Sequence, residues 1–118
     1  MSSEYNSKYF KPSEFSCRCG CGLNEVSELL LKELDAIRAH FGVPVSVTSG
    51  RRCVAHNEAV GGARNSQHTL GTAADIVVQG KKPKEVFEYL NSKYKSRYGI
   101  GLYKTFVHFD VRSKRARW

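Results

Sequence analysis

Ser66-Gln67-His68-Thr69-Leu70-Gly71-Thr72-Ala73-Ala74-Asp75, answered downstream by Phe106-Val107-His108-Phe109-Asp110, decides the reading of this chain. Two imidazoles and a carboxylate are what a catalytic Zn²⁺ takes from a protein when its fourth position stays open for water. Six residues separate His68 from Asp75, a spacing that suits a loop leading into a strand. Gly71, Ala73 and Ala74 are small enough for the backbone to turn closely around an ion, and Asp75 then heads the apolar run Ile76-Val77-Val78. In the second segment Val107, Phe109 and Val111 alternate with Phe106, His108, Asp110 and Arg112. A period of two sends one set to the core and the other to a shared face, so His108 and Asp110 point the same way.

Working outward, Leu30, Leu34, Ile37 and Phe41 recur at helical spacing and Gly42 supplies a stop, which predicts an amphipathic helix from Glu25 to Phe41 with Asn24 as its N-cap. Val43 to Thr48 alternates as a strand leading to Arg52, and Val54 to Val60 reads as a short helix ended by Gly61-Gly62. The ligand loop spans Ala63 to Thr72 and the strand Ala73 to Val78 follows. Pro83 opens a second amphipathic helix carrying Val86, Phe87, Leu90 and Tyr94. Gly99 to Gly101 is expected to turn the chain into a final strand or hairpin, Leu102 to Val111. Met1 to Lys8 reads as a loose polar segment, and Tyr9-Phe10-Lys11-Pro12 begins an irregular, lid-like stretch. The implied architecture is α+β: a small, mainly antiparallel sheet carrying Asp75 and His108, two main helices behind it, and a zinc cleft on the other face. With 118 residues the chain can build one core and has little left for a second domain.

The pattern S-x-H-x-x-G-x-A-x-D with a later H-x-D resembles the zinc peptidases of the D-Ala-D-Ala carboxypeptidase type. Thr48-Ser49-Gly50-Arg51-Arg52 is similar to that family's S-G-Y-R segment, Asn57 to Gly62 to its N-x-x-V-G-G stretch, and Gly99 to Arg112 to the G-x-G-x-Y…F-V-H-x-D-x-R ending of its small single-domain members. The resemblance runs nearly unbroken from Phe15 to Trp118. It implies a fold of the hedgehog and DD-peptidase kind and one catalytic zinc on His68, Asp75 and His108. It further implies Arg52 as the cation that holds a substrate carboxylate or carbonyl, with Ser66 and Tyr103 as further substrate-binding candidates. The expected activity is cleavage of peptidoglycan stem peptides, by a carboxypeptidase or endopeptidase such as a bacteriophage endolysin.

The general base is the departure from the family. Several relatives carry Asp or Glu three residues before the last histidine, and here that position is Thr105, which cannot take a proton. Asp110 is the substitute by same-face geometry, although positions two apart in a strand stand about 7 Å from each other, so it is also placed to orient a ligand. His56 is a third candidate. Hedgehog signalling domains keep zinc while acting as binding proteins, so a non-catalytic wall-binding protein is the alternative that follows from the same fold.

A formal net charge of +8, from 19 basic and 11 acidic residues, favours approach to an anionic polymer such as the wall or an outer-membrane surface. Arg112, Lys114, Arg115 and Arg117 crowd toward Trp118, so a basic nucleic-acid-binding module is the rival reading from another class, though no nucleic-acid partner is expected. No run is long enough to span a membrane, and Met1 to Asn6 lacks the basic and apolar regions of a signal peptide. A monomer made in the cytoplasm and delivered to the wall by outside help is therefore expected. The spacing Cys17-x-Cys19-x-Cys21 is awkward for tetrahedral coordination, so no second, structural ion on these three and Cys53 is expected. Reduced thiols are the default, with a disulfide from Cys53 to one of the first three as the oxidised alternative.

Overall fold

A computed structural model of the chain describes residues 8–15, 17, 26–50, 53–61, 68, 69 and 71–118, apart from the side chains of residues 12, 13, 54 and 56. A 3-10 turn at Pro12–Phe15 precedes α1 (Glu28–Phe41), β1 (Val45–Ser49), α2 (Val54–Ala59), β2 (Ala73–Val78), α3 (Pro83–Lys93), β3 (Gly99–Leu102), β4 (Val107–Asp110) and β5 (Ala116–Arg117). The strands form one sheet in the order β1-β2-β4-β3-β5, antiparallel except where β5 lies parallel to β3. This is the expected α+β fold with a mainly antiparallel sheet.

Sheet and helices meet across an apolar layer that the sequence periods foreshadow. Leu30, Leu34 and Ile37 of α1 and Val86 and Leu90 of α3 are buried against Ala74, Ile76 and Val78 of β2 and Val107 and Phe109 of β4. Each fully buried side chain of this size contributes about 1.5–3 kcal/mol relative to exposure. Phe15 closes the layer beside β1 and is itself fully buried. Glu33 of α1 ties the helices together by accepting hydrogen bonds from Tyr94 Oη and Tyr98 Oη, each at 2.7 Å.

The strand β1 runs Val45–Ser49 where the alternation predicts Val43 to Thr48, and α2 ends at Ala59 in place of Val60; three further differences from the sequence reading each have a tertiary reason. The helix α1 starts at Glu28, with Ser27 in the cap position, and residues 24 and 25 lie outside the described part of the chain. The Ser27 N–H donates to Gly71 O at 2.7 Å, so the entry to α1 is fastened to the turn beside the ligand loop. Gly99 and Gly101 do not turn the chain but belong to β3. The reversal falls just before them, at residues 95–98, where Tyr98 takes the left-handed region at φ +68. The glycines are there because two other groups need their space. A Cβ on Gly99 would fall on the Asp110 carboxylate and the Arg112 guanidinium, and one on Gly101 would lie 2.5 Å from the Trp118 indole nitrogen. Third, the hairpin is shorter than Leu102 to Val111: β4 begins at Val107, after a turn in which Tyr103 N–H bonds Phe106 O at 3.1 Å.

Candidate metal centre

Strand register places the site. Asp75 of β2 and His108 of β4 are directly opposed partners, and on the other side of His108 the opposed residue is Gly101. Because Val107 and Phe109 take the core side, His108 and Asp110 share the opposite face, the one on which Asp75 stands. His68 reaches the same point from the loop before Gly71. All three side chains are buried, with exposures of 2% for His68, 5% for Asp75 and 7% for His108.

Each imidazole is oriented by an acceptor on its outer edge. His68 Nδ1 lies 2.7 Å from Gly50 O, so this nitrogen carries the proton and Nε2 presents its lone pair inward. His108 Nε2 lies 2.7 Å from Asp110 Oδ2, which leaves Nδ1 facing inward. The inward nitrogens stand 3.3 Å (His68) and 3.1 Å (His108) from the same atom, Asp75 Oδ1. Three lone pairs thus converge on one point, an arrangement that repels itself unless a cation or protons lie between them. Metal–ligand bonds of about 2.0–2.1 Å in a tetrahedron give ligand–ligand edges of about 3.3 Å, which the two contacts to Asp75 match. Among the described residues these three form the group able to hold an ion, with ligand atoms all within 4.8 Å of one another.

The electrostatics follow from the same contacts. Burial works to raise the Asp75 pKa, but where protons rather than a cation lie between it and the inward nitrogens, the hydrogen bonds from His108 and His68 and their charge outweigh burial and hold the carboxyl down to about 2. The His108 ring is disfavoured as a cation by burial, yet its bonds to Asp110 and Asp75 push its pKa up overall. Burial likewise opposes ionisation of Asp110, while His108 and Arg112 hold its carboxyl well below the usual carboxylate range.

Asp110 is enclosed on every side. It is fully buried, and its carboxylate accepts from the Gly99 N–H at 3.1 Å, the Arg112 backbone N–H at 3.1 Å, Arg112 Nε at 2.8 Å and Arg112 Nη2 at 2.7 Å, besides His108. Tyr103 is exposed, stacked on Phe106 with centroids 4.6 Å apart, and its hydroxyl accepts from Trp118 Nε1 at 2.8 Å. The Trp118 ring in turn stands 5.0 Å from the His108 ring and under the Arg112 guanidinium, so Tyr103 lies one residue out from the site. Thr105 is an exposed turn residue. Arg52 and Ser66 and the side chain of His56 lie outside the described residues.

Sequence reasoning missed the Gly50 carbonyl and the Arg112 fork. The first had a signal in Thr48-Ser49-Gly50, read only for the arginine that follows. A Cβ on Gly50 would lie 2.7 Å from Phe15 Cα, so the glycine lets the backbone that presents its carbonyl to His68 close on Phe15. The basic run is largely spent on the fold: Arg112 on Asp110, Arg115 Nε on Lys95 O at 3.1 Å, and Arg117 on Asn91 Oδ1 at 2.7 Å and Tyr98 O at 2.7 Å.

The family model described as Peptidase M15 matches residues 8–110, a span that includes the turn at Pro12–Phe15, the three convergent residues His68, Asp75 and His108, and Asp110. The chain belongs to the peptidase M15 family. A comparison with curated proteins found no match. M15 peptidases are the zinc D-Ala-D-Ala carboxypeptidase-like family, and the convergent nitrogens and carboxylate of this M15 chain fit such an ion in number, tautomer and spacing.

Proposed function

We propose that this M15 chain is a zinc-dependent hydrolase of peptidoglycan stem peptides, of the carboxypeptidase or endopeptidase type, with the role of a bacteriophage endolysin. The observation that carries the reading is the convergence of His68 Nε2, His108 Nδ1 and Asp75 Oδ1, each histidine locked in its tautomer from outside. A Zn²⁺ held there supplies a Lewis acid for a peptide carbonyl and lowers the pKa of a water. His68, Asp75 and His108 hold the ion, and Gly50 O and Asp110 fix the rings. Arg52, Ser66 and Tyr103 are assigned to the substrate, with Arg52 offsetting negative charge that develops on its carbonyl oxygen. The +8 balance favours enrichment on an anionic wall, where the enzyme acts outside the cytoplasm.

Asp110 is assigned the positioning of His108 in place of the proton transfer expected from the sequence, because its carboxylate is fully buried and already bonded to His108, Arg112 and Gly99. The same enclosure favours one second reading, a zinc-bearing wall-binding protein without turnover. Mass spectrometry of purified peptidoglycan fragments incubated with zinc-loaded protein separates the two. Loss of a terminal alanine or scission within or between stems, absent in His68→Ala, is the expected result. Untouched fragments with a full equivalent of zinc would leave the binding protein.

A further inference from the structure

We propose that Cys17 and Cys53 form a disulfide that braces the metal centre from its N-terminal side. Their sulfurs lie 3.8 Å apart, in van der Waals contact, and the Cys53 backbone N–H points at Cys17 Sγ from 3.4 Å. The bonded separation is about 2.05 Å, so oxidation requires the two sulfurs to close by less than about 2 Å.

The two sulfurs differ in access, which orders the chemistry. Cys17 is 3% exposed, whereas Cys53 is only partly covered, so a low-molecular-weight disulfide such as oxidised glutathione meets Cys53 first. The Cys53 thiolate attacks one sulfur of that disulfide and releases one small thiolate. The Cys17 thiolate then attacks Cys53 Sγ and expels the second, so two protein thiols lose two electrons and two protons and the reagent becomes two thiols.

The position of the pair gives the bond its consequence. Phe15, two residues before Cys17, packs against Gly50, three residues before Cys53, and the Gly50 carbonyl orients His68. A covalent tie at 17 and 53 therefore holds the same two strands of chain whose contact presents that carbonyl. It also closes a loop of 36 residues' separation containing α1 and β1.

The full-length protein can be equilibrated with oxidised glutathione, blocked with an alkylating reagent and digested with trypsin without reduction. Cleavage at Arg18 parts Cys17 from Cys19 and Cys21, so peptide 9–18 joined to peptide 53–64 is the expected product. The Tm of the metal-free oxidised protein should exceed that of the reduced protein by about 10 °C, given the loop length. Both results should persist in the Cys19→Ser/Cys21→Ser double variant and vanish in Cys53→Ser. A link from Cys53 to peptide 19–32, four alkylated thiols after oxidation, an unmoved Tm, or thiols protected by a second zinc and released by chelator would each overturn the proposal. None of these outcomes depends on peptidase activity, so they stand apart from a failure of the proposed function.

Discussion

Asp110 Oδ2 lies 2.7 Å from His108 Nε2, and this one bond decides that Nδ1 is the nitrogen turned toward Asp75. A neutral imidazole has one donor and one acceptor, so pinning the donor outward aims the lone pair inward. Flanking residues make the contact possible: the positions opposite Asp110 are Ala73 and Gly99, neither of which competes for the space.

Asp110→Asn tests whether this carboxylate positions or takes a proton. Asparagine keeps the size but weakens the bond to His108 and leaves Arg112 without its anion. Zinc affinity, read by competition with a chelator, should fall about 10–100-fold, and stability by about 2–3 kcal/mol. Wild-type zinc affinity with turnover down about 10²-fold or more would return Asp110 to the role of general base.

Gly99→Ala should reproduce much of that effect with every charged side chain left in place. The added methyl would fall 2.6 Å from Asp110 Oδ1 and 2.7 Å from Arg112 Nε, both fixed by their mutual fork. Overpacking of this kind costs about 1–3 kcal/mol. Denaturant melts should register that loss, and zinc titration should show weaker binding than in Gly42→Ala, where the methyl meets nothing within 4 Å and the cost is confined to the positive φ at the end of α1.

These two positions mark how far the sequence could be read. The shared face of His108 and Asp110 was legible because strand alternation is local and needs no knowledge of the partner strand, whereas Asp75 joins it through the β2–β4 register, which alternation does not reveal. The glycines were not, since a glycine signals a turn and a close approach alike, and the groups approaching Gly99 and Gly101 come from Asp110 and Trp118. The start of α1 was obscured in the same way by the bond from Ser27 to Gly71, a tertiary contact. Gly50 acts through its carbonyl, which every residue possesses, so the glycine of Thr48-Ser49-Gly50 signals a close approach without telling that the carbonyl meets His68. Whether Asp110 is a base or a brace turns on Arg112 folding back over it, and spacing alone leaves both open.

Arg117→Ala should lower stability without altering any affinity for nucleic acid. Its guanidinium donates to Asn91 Oδ1 at 2.7 Å, Tyr98 O at 2.7 Å, Ala116 O at 2.8 Å, Arg97 O at 3.2 Å and also to Tyr94 O. Removing it strands several carbonyls at the junction of α3, β3 and β5, at a cost of about 2 kcal/mol. Lysine cannot restore the fork, so Arg117→Lys should recover little. Unchanged urea midpoints together with lost retention on duplex DNA would revive the nucleic-acid reading of the basic run.

Tyr94→Phe probes the link between α1 and α3 through pH. Burial and the hydrogen bond to Glu33 push the Tyr94 pKa well above the ordinary tyrosine value of 10.0, since a phenolate there would be both desolvated and beside a carboxylate. A raised pKa means that the native state keeps a proton the unfolded chain releases. The contribution is therefore complete below the unfolded value and is lost as pH climbs above it, with a slope of about 1.4 kcal/mol per pH unit. Urea unfolding at pH 8 should find the phenylalanine variant less stable by about 1 kcal/mol, the net worth of the lost bond. Between pH 10 and 11 the gap should narrow or reverse, because phenylalanine has no proton to hold. Parallel loss in both proteins across that range would show that Tyr94 releases its proton in the native state and that the bond to Glu33 does not hold it.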